Sequence, residues 1–515
     1  MQTKATGKSV PGGYTEDEHR ADVEHLHGMG YAQELERRLS GFSNFAVSFS
    51  IICILSGGIN SLAQGISGVG GAAIGIGWPL GCLVSGVFAI AMAQIASAYP
   101  TAGGLYHWGS ILGNRGIGWV TAWLNLLGLV TVLGAINVGT WTFFLGVFGP
   151  VIGFTGTYGE QLTFMVIITA LQAVINHRGI KLTSILTDFS GYLILFGSAA
   201  IAVAFFAYAP SHDFSRLWTF SNFSGDVGGG IWPQTNSTFF LFLLGLLLPI
   251  YTITGYDASA HTSEETRNAA LSVPRSMVRS VFWSGLMGWI FLSAIVIAIP
   301  DMGAAAAQGW NVFFWTADQV LPSGIKVFLY IVIFAAQFLC GLATVTSVSR
   351  MIFAFARDGG LPFSSKLRHV SPHFRTPVNA IWTGAALAVL FTSYTPLYTT
   401  IVSVTVIFLF LSFAVPIVLG LIHFGGRWSK MGPWNIGGLY RLVALLVIAS
   451  MVLIFLIGIQ PPNDAAFWIT VGFLILTAIV WFGFERRRFK GPPIGDAISR
   501  RRAEIEAAES AVGER

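Results

Sequence analysis

Residues 48–70 read SFSIICILSGGINSLAQGISGVG, an apolar run that is interrupted in its middle by residues 56–61, SGGINS. Adjacent glycines and short polar side chains disfavour a continuous helix, because such side chains compete for backbone hydrogen bonds. A second apolar run, LFLLGLLLPIYTITGYDASAHTSEE (241–265), contains Pro249 followed by polar residues at 252–257. Proline cannot donate to the helix ladder. Both runs are therefore predicted to form broken helices.

The composition places these runs in a membrane. Of 515 residues, 54% are hydrophobic and only 10% are charged, which is too few charges to coat a globular surface. This excludes an ordinary cytosolic enzyme and a disordered protein. Apolar runs long enough to cross a bilayer predict an all-α integral membrane protein with twelve transmembrane helices, at 42–66, 72–98, 117–149, 161–176, 182–208, 237–262, 278–299, 324–349, 377–394, 398–423, 440–460 and 466–484.

The distribution of basic residues predicts the orientation. All but Arg216 and Lys326 of the 29 Lys and Arg fall on one side of the predicted spans. The positive-inside rule then places both termini in the cytoplasm of a multi-pass cell-membrane protein. The net positive charge is explained by orientation and by anionic headgroups of membrane lipids near Arg486–Arg488, so no nucleic acid is expected as a partner.

The termini are expected to be peripheral. Residues 1–41 form a polar cytoplasmic tail without a cleavable signal peptide, in which 1–30 are predicted to be mobile and 31–40 (YAQELERRLS) to form an interfacial helix. The C-terminal tail (485–515) predicts a solvated helix beyond Pro492 and Pro493. Cys53, Cys82 and Cys340 lie in apolar runs and are predicted to be packing residues.

Two broken helices at corresponding positions point to a transporter. Non-helical backbone is tolerated in a bilayer only where it is buried in protein or lines a cavity. Breaks in spans 1 and 6 indicate two inverted five-helix repeats (42–208 and 237–423) with a binding site between them, followed by two further helices (440–484). N–H groups after Gly58 suit a carboxylate, and carbonyls near Tyr251 suit an ammonium group. A zwitterion satisfies both.

Three motifs carry a resemblance to a family. GYDASAHTSEET with Asn268, Ala269 and Pro274 downstream, YPTAGGLYHW (99–108) and LSGFSNFAVSFS (39–50) resemble amino-acid permeases of the amino acid–polyamine–organocation superfamily. The best fit is the amino acid/choline transporter branch, which includes γ-aminobutyrate permeases. The resemblance covers about 31–488. It implies a five-plus-five inverted repeat with discontinuous helices 1 and 6, and secondary transport by alternating access.

The resemblance also implies roles for individual residues. Gly57, Gly58 and Ile59 would meet a substrate carboxylate. Carbonyls around Tyr251 would meet the amine, with Tyr251 as the gating aromatic. The full candidate substrate site is Gly57, Gly58, Ile59, Asn60, Tyr251, Thr252, Thr254, Gly255 and Asp257. Many sodium-independent members carry a lysine in helix 5; this chain has none there, and Ile194 or a neighbour takes the place.

The charged and hydroxyl residues leave the coupling ion open. Asp257 could attract a substrate amine or carry a proton, or it could cap the second half of helix 6. Glu264 and Glu265 could close an inner gate with Arg37 or Arg38. Thr346 and Ser347 form a possible cation site, although hydroxyls in membrane helices often bond their own backbone. A proton is the first candidate for coupling and sodium the less favoured one.

Other function classes fit less well. A channel would require a continuous polar lining, and a membrane enzyme would require clustered His or Asp at an interface. Neither pattern is present, no metal-ligating cluster or nucleotide loop is visible, and no cofactor is expected. The prediction is a permease for an amino acid or a γ-aminobutyrate-like zwitterion. The alternatives are a choline or polyamine carrier of the same fold, or an amino-acid exchanger without ion coupling.

Overall fold

The computed structural model describes residues 14–394 and 398–513, and within these ranges it is helical apart from two isolated β-bridges. The N-terminal half contains α1 (Glu16–Gly28), α2 (Gly41–Ile52), α3 (Ile54–Asn60), α4 (Leu62–Val69), α5 (Trp78–Ala98), α6 (Leu105–Leu112), α7 (Arg115–Ile152), α8 (Tyr158–His177), α9 (Ile180–Tyr208), α10 (Thr238–Gly245), α11 (Leu247–Thr252) and α12 (Ala258–His261). The C-terminal half contains α13 (Ala269–Ala298), α14 (Met302–Ala306), α15 (Val312–Val320), α16 (Ser323–Arg357), α17 (Ser364–Leu367), α18 (Val378–Tyr394), α19 (Tyr398–His423), α20 (Leu439–Gly458), α21 (Asp464–Val480), α22 (Arg486–Arg488), α23 (Asp496–Arg500) and α24 (Arg502–Val512). The predicted all-α class is confirmed.

The helices match the predicted spans. Ten helical segments of the described chain are long and apolar enough to cross a membrane, namely Gly41–Val69, Ala73–Ala98, Arg115–Gly149, Tyr158–His177, Ile180–Tyr208, Ala269–Ala298, Ser323–Arg357, Ile401–His423, Leu439–Gly458 and Asp464–Arg488. Two shorter apolar segments, Thr238–Thr252 and Val378–Ser393, lie at predicted spans 6 and 9. The chain is therefore a multi-pass membrane protein. The count of twelve crossings and the inverted repeat of 42–208 and 237–423 stay predictions.

The first break lies earlier than predicted. α2 ends at Ile52 and α3 begins at Ile54, with Cys53 between them at φ 27° and ψ 78°. The sequence predicts the interruption at 56–61. Gly57 and Gly58 lie inside α3, whereas a second interruption, at Ser61 between α3 and α4, lies within the predicted range. A positive φ is uncommon for a residue with a side chain. The Cys53 thiol reaches the carbonyl of Ala336 on α16 at 3.8 Å, which ties the break to that helix.

The second break lies where the sequence predicts it. α11 ends at Thr252 and α12 begins at Ala258, and Gly255 between them has φ +88°. A Cβ on Gly255 would also lie 2.3 Å from Cγ2 of Ile51 on α2. Both the backbone conformation and the close approach require glycine at this position.

The N-terminal tail differs from its prediction. Residues 31–40 are not helical, so the predicted interfacial helix there is wrong. The N–H groups of Arg38 and Leu39 instead each donate to the carbonyl of Glu265 at 2.8 Å, which holds this segment extended beside the second broken helix. Within 1–30, residues 16–28 form α1, which begins with a capping box between Thr15 and Glu18. Residues 1–13 lie outside the described residues.

The two tails meet at one end of the helical bundle. In α24, the helix predicted beyond the proline pair, Glu509 accepts a hydrogen bond from His27 of α1 with 2.5 Å between the atoms. Most residues of this helix are exposed, as the prediction of a solvated helix requires, but Ile505 and Glu509 are buried. We call this end of the bundle the terminal face and the other end the opposite face.

Candidate substrate-binding site

The two broken helices touch at their breaks. A Cβ on Gly57 of α3 would lie 3.0 Å from Cα of Thr252 at the end of α11. Gly255 in turn lies against Ile51 at the end of α2. Each broken helix therefore contributes a glycine at the point where the other helix passes closest. The structure brings Gly57, Thr252 and Gly255 together, as the prediction of a shared site requires.

A small cavity lies between the two breaks. Its volume is about 10 Å³, which is room for about one water molecule. An amino acid is larger, so its binding requires the walls to move apart. The cavity is lined by Ile51, Ile52, Ser56, Gly57, Val132, Ile136, Tyr251, Thr252 and Thr254.

The breaks present backbone groups of opposite polarity. The Cys53 carbonyl accepts the N–H groups of Ser56 and Gly57 at 2.7 and 3.1 Å, whereas no acceptor in the described chain pairs with the N–H groups of Ile54 and Leu55. The positive end of α3 thus faces the break. The negative end of α11 faces it from the other side, since that helix ends at Thr252.

The other predicted site residues are spread more widely. Gly58 does not line the cavity: a Cβ there would meet Trp78, Leu292 and Phe291 at 3.5–3.6 Å, so it faces helix packing and not the second break. Ile59 and Asn60 line a separate cavity of about 110 Å³ further along α3, together with Val138, Gly139, Thr142, Trp310, Phe313 and Phe314. Because the break lies at Cys53, Gly58, Ile59 and Asn60 lie further along α3 and do not face the gap at the break.

The sequence does not reveal four apolar residues of the cavity wall. Ile51 and Ile52 close the end of α2, and Val132 and Ile136 lie one turn apart on α7. No polar pattern distinguishes these residues from core residues of the same helices. Ile51 and Ile52 could be recognised by their position directly before the break, but the sequence predicts the break later, at 56–61.

Asp257 lies behind the cavity, not in its wall. Its Oδ2 accepts a hydrogen bond from the Asn125 side chain on α7 at 3.1 Å and lies 3.4 Å from Nε2 of His261. Its side chain accepts no hydrogen bond from the first turn of α12, so the capping interpretation is wrong. Direct attraction of a substrate amine is not supported either, because Asp257 does not line the cavity. Proton binding stays a proposal.

One hydroxyl of the predicted cation site, that of Thr346, is already bonded to another helix. Thr346 donates to the side chain of Asn176 on α8 at 2.7 Å, which directs its hydroxyl away from the first broken helix. Ser347 lies on the same face of α16 as Cys340, which precedes it by one heptad. The Cys340 thiol contacts the Ile51 carbonyl at 3.3 Å. A thiol is a soft ligand, and sodium prefers hard oxygen ligands.

Two buried ion pairs join the second broken helix to α16. Both oxygens of Glu264 accept from Arg357 at 2.8 and 2.9 Å, and both oxygens of Glu265 accept from Arg350 at 2.6 and 2.9 Å. The predicted pairing of Glu264 and Glu265 with Arg37 or Arg38 is wrong. The Arg38 side chain pairs with Glu36, and Arg37 donates to the carbonyl of Ser263. The predicted span ends at residue 349, so the sequence does not place either α16 arginine beside the gate.

The N-terminal tail covers these ion pairs on the terminal face. The Arg357 guanidinium stacks 3.8 Å from the ring centre of Tyr31, whose hydroxyl donates to Asp358 at 2.7 Å. Burial raises the pKa of Tyr31, with the Asp358 charge adding to the rise, so the phenol stays a donor. The Gln33 amide donates to the Glu264 carbonyl at 2.8 Å. The bundle is therefore closed by both side chains and tail at this end.

Comparison with known proteins identifies the family. The family model described as amino acid permease matches residues 39–484. The chain belongs to the amino acid permease family. It is similar to the amino-acid permease BAT1 homolog of Oryza sativa subsp. japonica and to the amino-acid permease BAT1 of Arabidopsis thaliana, with 31% identity to each over 91% of this chain and 94% and 95% of the relatives. It is also 27% identical to an uncharacterized amino-acid permease of Schizosaccharomyces pombe, over 96% of this chain and 90% of that relative.

Membership of this family confirms the predicted class of amino acid transporter, as opposed to an enzyme. The matched region contains both breaks, the cavity and the two ion pairs, and it excludes α1 and the tail helices α23 and α24. The contacts that α1 and α24 make with each other therefore lie outside the part that defines the permease family.

The Glu264–Arg357 pair yields a prediction about stability. We expect Arg357→Gln to lower the unfolding temperature strongly, because leaving one partner of a buried pair uncompensated costs about 3–5 kcal/mol. Arg38→Gln is the matched control, since exposed pairs such as Arg38–Glu36 are worth at most about 1 kcal/mol. Thermal unfolding of the purified permease in detergent measures both. Equal losses in the two variants would contradict the assignment of Arg357 as the gate partner.

Proposed function

We propose that this permease carries a zwitterionic amino acid, or a γ-aminobutyrate-like zwitterion, by alternating access at the two breaks. The observation that supports this most is the pair of opposed helix ends at one small cavity. The N–H groups of Ile54 and Leu55, in the short segment between the lining residues Ile52 and Ser56, suit the substrate carboxylate. The carbonyl end of α11 suits its ammonium group.

The cavity walls favour an aliphatic substrate side chain over a charged one. Ile51, Ile52, Val132 and Ile136 supply its apolar surface, and its lining contains no ionisable acid or base apart from the phenol of Tyr251. A polyamine or choline would lack the carboxylate that the start of α3 can bind, and a polyamine would leave an ammonium group against apolar walls. These alternatives are therefore less favoured than a zwitterion.

A thermal-shift panel tests the substrate class. A ligand that binds only the folded state raises the unfolding temperature by an amount that grows with the ratio of its concentration to its Kd. We expect neutral amino acids or γ-aminobutyrate to stabilise the purified permease, and choline and polyamines to leave it unchanged. Stabilisation by choline or a polyamine alone would reject the zwitterion proposal, and uptake of the radiolabelled hit into proteoliposomes would then establish transport.

The side of the membrane follows from charge. The terminal face carries the tails and the basic clusters, so the positive-inside rule assigns it to the cytoplasm of the cell. In this orientation the ion pairs of Glu264 and Glu265 form a closed inner gate. The cavity that Asn60 lines would be on the outer path to the substrate site.

For coupling, we propose a proton carried at Asp257. This carboxylate is fully buried beside the second break, and one of the two hydroxyls expected to bind sodium, that of Thr346, is already bonded to Asn176. Uptake in proteoliposomes should therefore rise with an inward proton gradient and ignore a sodium gradient at fixed pH. Dependence on external sodium would reject the proton. Indifference to both gradients, with strong stimulation by internal substrate, would leave an exchanger without ion coupling.

Tyr251 gives a prediction about the gating aromatic. Its ring lines the cavity and is 5% exposed. We expect Tyr251→Ala to raise the apparent KM and to allow substrate leak, because the ring covers the site, whereas Tyr251→Phe should keep near-normal uptake. Uptake kinetics and efflux from preloaded proteoliposomes measure the two effects. If both variants lose transport equally, the phenol hydroxyl matters and not the ring.

A further inference from the structure

A continuous line of polar contacts joins Asp257 to the inner gate. Nε2 of His261 lies 3.4 Å from Oδ2 of Asp257, and its Nδ1 lies 3.0 Å from the carbonyl oxygen of Ala102. The N–H of Ala102 donates to Oε1 of Glu264 at 3.0 Å, and Glu264 holds Arg357. Ala102 belongs to the short loop between α5 and α6, so one loop residue contacts both the histidine and the gate.

The hydrogen-bond geometry specifies where protons must lie. A carbonyl oxygen only accepts, so the contact with Ala102 assigns the hydrogen to Nδ1 of His261. Neutral imidazole then carries a bare Nε2 towards Asp257. Two acceptors cannot share a hydrogen bond. Nε2 of His261 has no hydrogen-bond partner in the described chain, so a hydrogen bond across its 3.4 Å contact with Oδ2 forms only when the pair holds one further proton, either as an Asp257 acid or as a His261 imidazolium.

We propose that Asp257 and His261 bind the coupled proton together, and that His261 transmits its loss to the inner gate through Ala102. This inference rests on the proton coupling proposed above. When the proton leaves for water on the terminal face, the imidazole retains one N–H, which can donate to Asp257 or to Ala102 but not to both. Donation to the carboxylate releases the Ala102 carbonyl and loosens the loop that also holds Glu264.

The groups around Asp257 and His261 offer no better site for the coupled proton than this pair. From α7 and α19 the groups that face it are the uncharged side chains of Asn125 and Ser412. Next to it lies the Tyr256 hydroxyl, and on its cytoplasmic side are His107 and the ion pairs of Glu264 with Arg357 and of Glu265 with Arg350. Burial lowers the pKa of His107 to about 3, so it stays neutral at ordinary pH and contacts Thr101.

The first test uses the unmodified permease. Hydrogen–deuterium exchange of the loop peptide around Ala102 is compared at pH 6 and pH 8, corrected for the intrinsic exchange rate. We expect protection to fall at least about tenfold at the higher pH, the change that corresponds to about 1.4 kcal/mol of lost contact. Protection that is equal at the two pH values would overturn the link between the proton and the gate.

The second test uses His261→Gln, with His107→Gln as the matched buried-histidine control. In proteoliposomes we expect His261→Gln to lose proton-driven accumulation while keeping substrate exchange, and its loop protection to become independent of pH. His107→Gln should behave as the unmodified permease. Proton-driven accumulation by His261→Gln that equals that of the unmodified permease would overturn the pair.

The two proposals fail differently. If the unmodified permease ignores a proton gradient, the coupling proposal itself is rejected. If it responds to the gradient and His261→Gln responds equally, only the shared-proton inference fails. Should His261→Gln not fold, Asp257→Asn provides the same loop measurement, because an asparagine amide can donate to Nε2 permanently. Its loop should then stay protected at both pH values, and pH-dependent protection in that variant would reject the inference.

Discussion

Replacing Gly57 by alanine should lower uptake strongly, while replacing Gly58 by alanine should leave it close to normal. A methyl group at Gly57 would lie 3.0 Å from three atoms of Thr252, including its Cα, so the two breaks would have to separate. Overpacking of this kind costs about 1–3 kcal/mol, and it falls on the site that must bind substrate, so we expect at least about a tenfold loss of uptake.

The adjacent glycine is the control for this prediction. A Cβ on Gly58 meets its neighbours at 3.5 Å or more, which is ordinary van der Waals contact. Both variants add one methyl group to the same turn of α3 and both raise its helix propensity. Initial rates of radiolabelled substrate uptake, normalised to the protein present in the membrane, compare them. Equal rates in the two variants, or a greater loss from Gly58→Ala, would place the substrate elsewhere than at the contact of Gly57 with Thr252.

The comparison of these glycines shows what the sequence could establish. Apolar run length determines the helices, because each must satisfy its backbone inside a bilayer, and the predicted spans follow the observed helices closely. Adjacent glycines predict a break around Gly57 and Gly58, but both lie inside α3, and the interruptions lie at either end of that helix, at Cys53 and Ser61. Cys53 has the positive φ, and its thiol contacts the carbonyl of Ala336 on α16, a tertiary contact that the sequence does not show.

The charged residues show a second limit. A sequence identifies Glu264 and Glu265 as unusual for a span end, but not their partners. Arg350 and Arg357 lie two helical turns apart on α16, and they are buried because each forms a two-pronged pair with a glutamate from another segment. Counted alone, each arginine indicates the end of a span. Only the folded arrangement shows that the helix continues past Arg350 and ends at Arg357.

Asp257→Asn should abolish proton-driven accumulation and spare exchange. Asparagine keeps the size of the side chain, its oxygen can still accept from Asn125, and its amide can donate to His261, so the variant resembles the protonated site. At one proton per substrate, a one-unit pH gradient supports up to about tenfold accumulation, since about 1.4 kcal/mol is a factor of ten. We expect this to fall to no accumulation in the variant.

The control for this prediction is Asp188→Asn, a substitution at the other carboxylate inside the predicted spans. Asp188 accepts a hydrogen bond from Ser43 at 3.0 Å near the terminal face and has no contact with the cavity. The Asp188→Asn variant should therefore accumulate substrate as the unmodified permease does. Accumulation and counterflow exchange are measured in proteoliposomes of the same preparation. Loss of both by Asp257→Asn indicates a structural role. Loss of accumulation alone shows that this carboxylate must release its proton in every transport cycle.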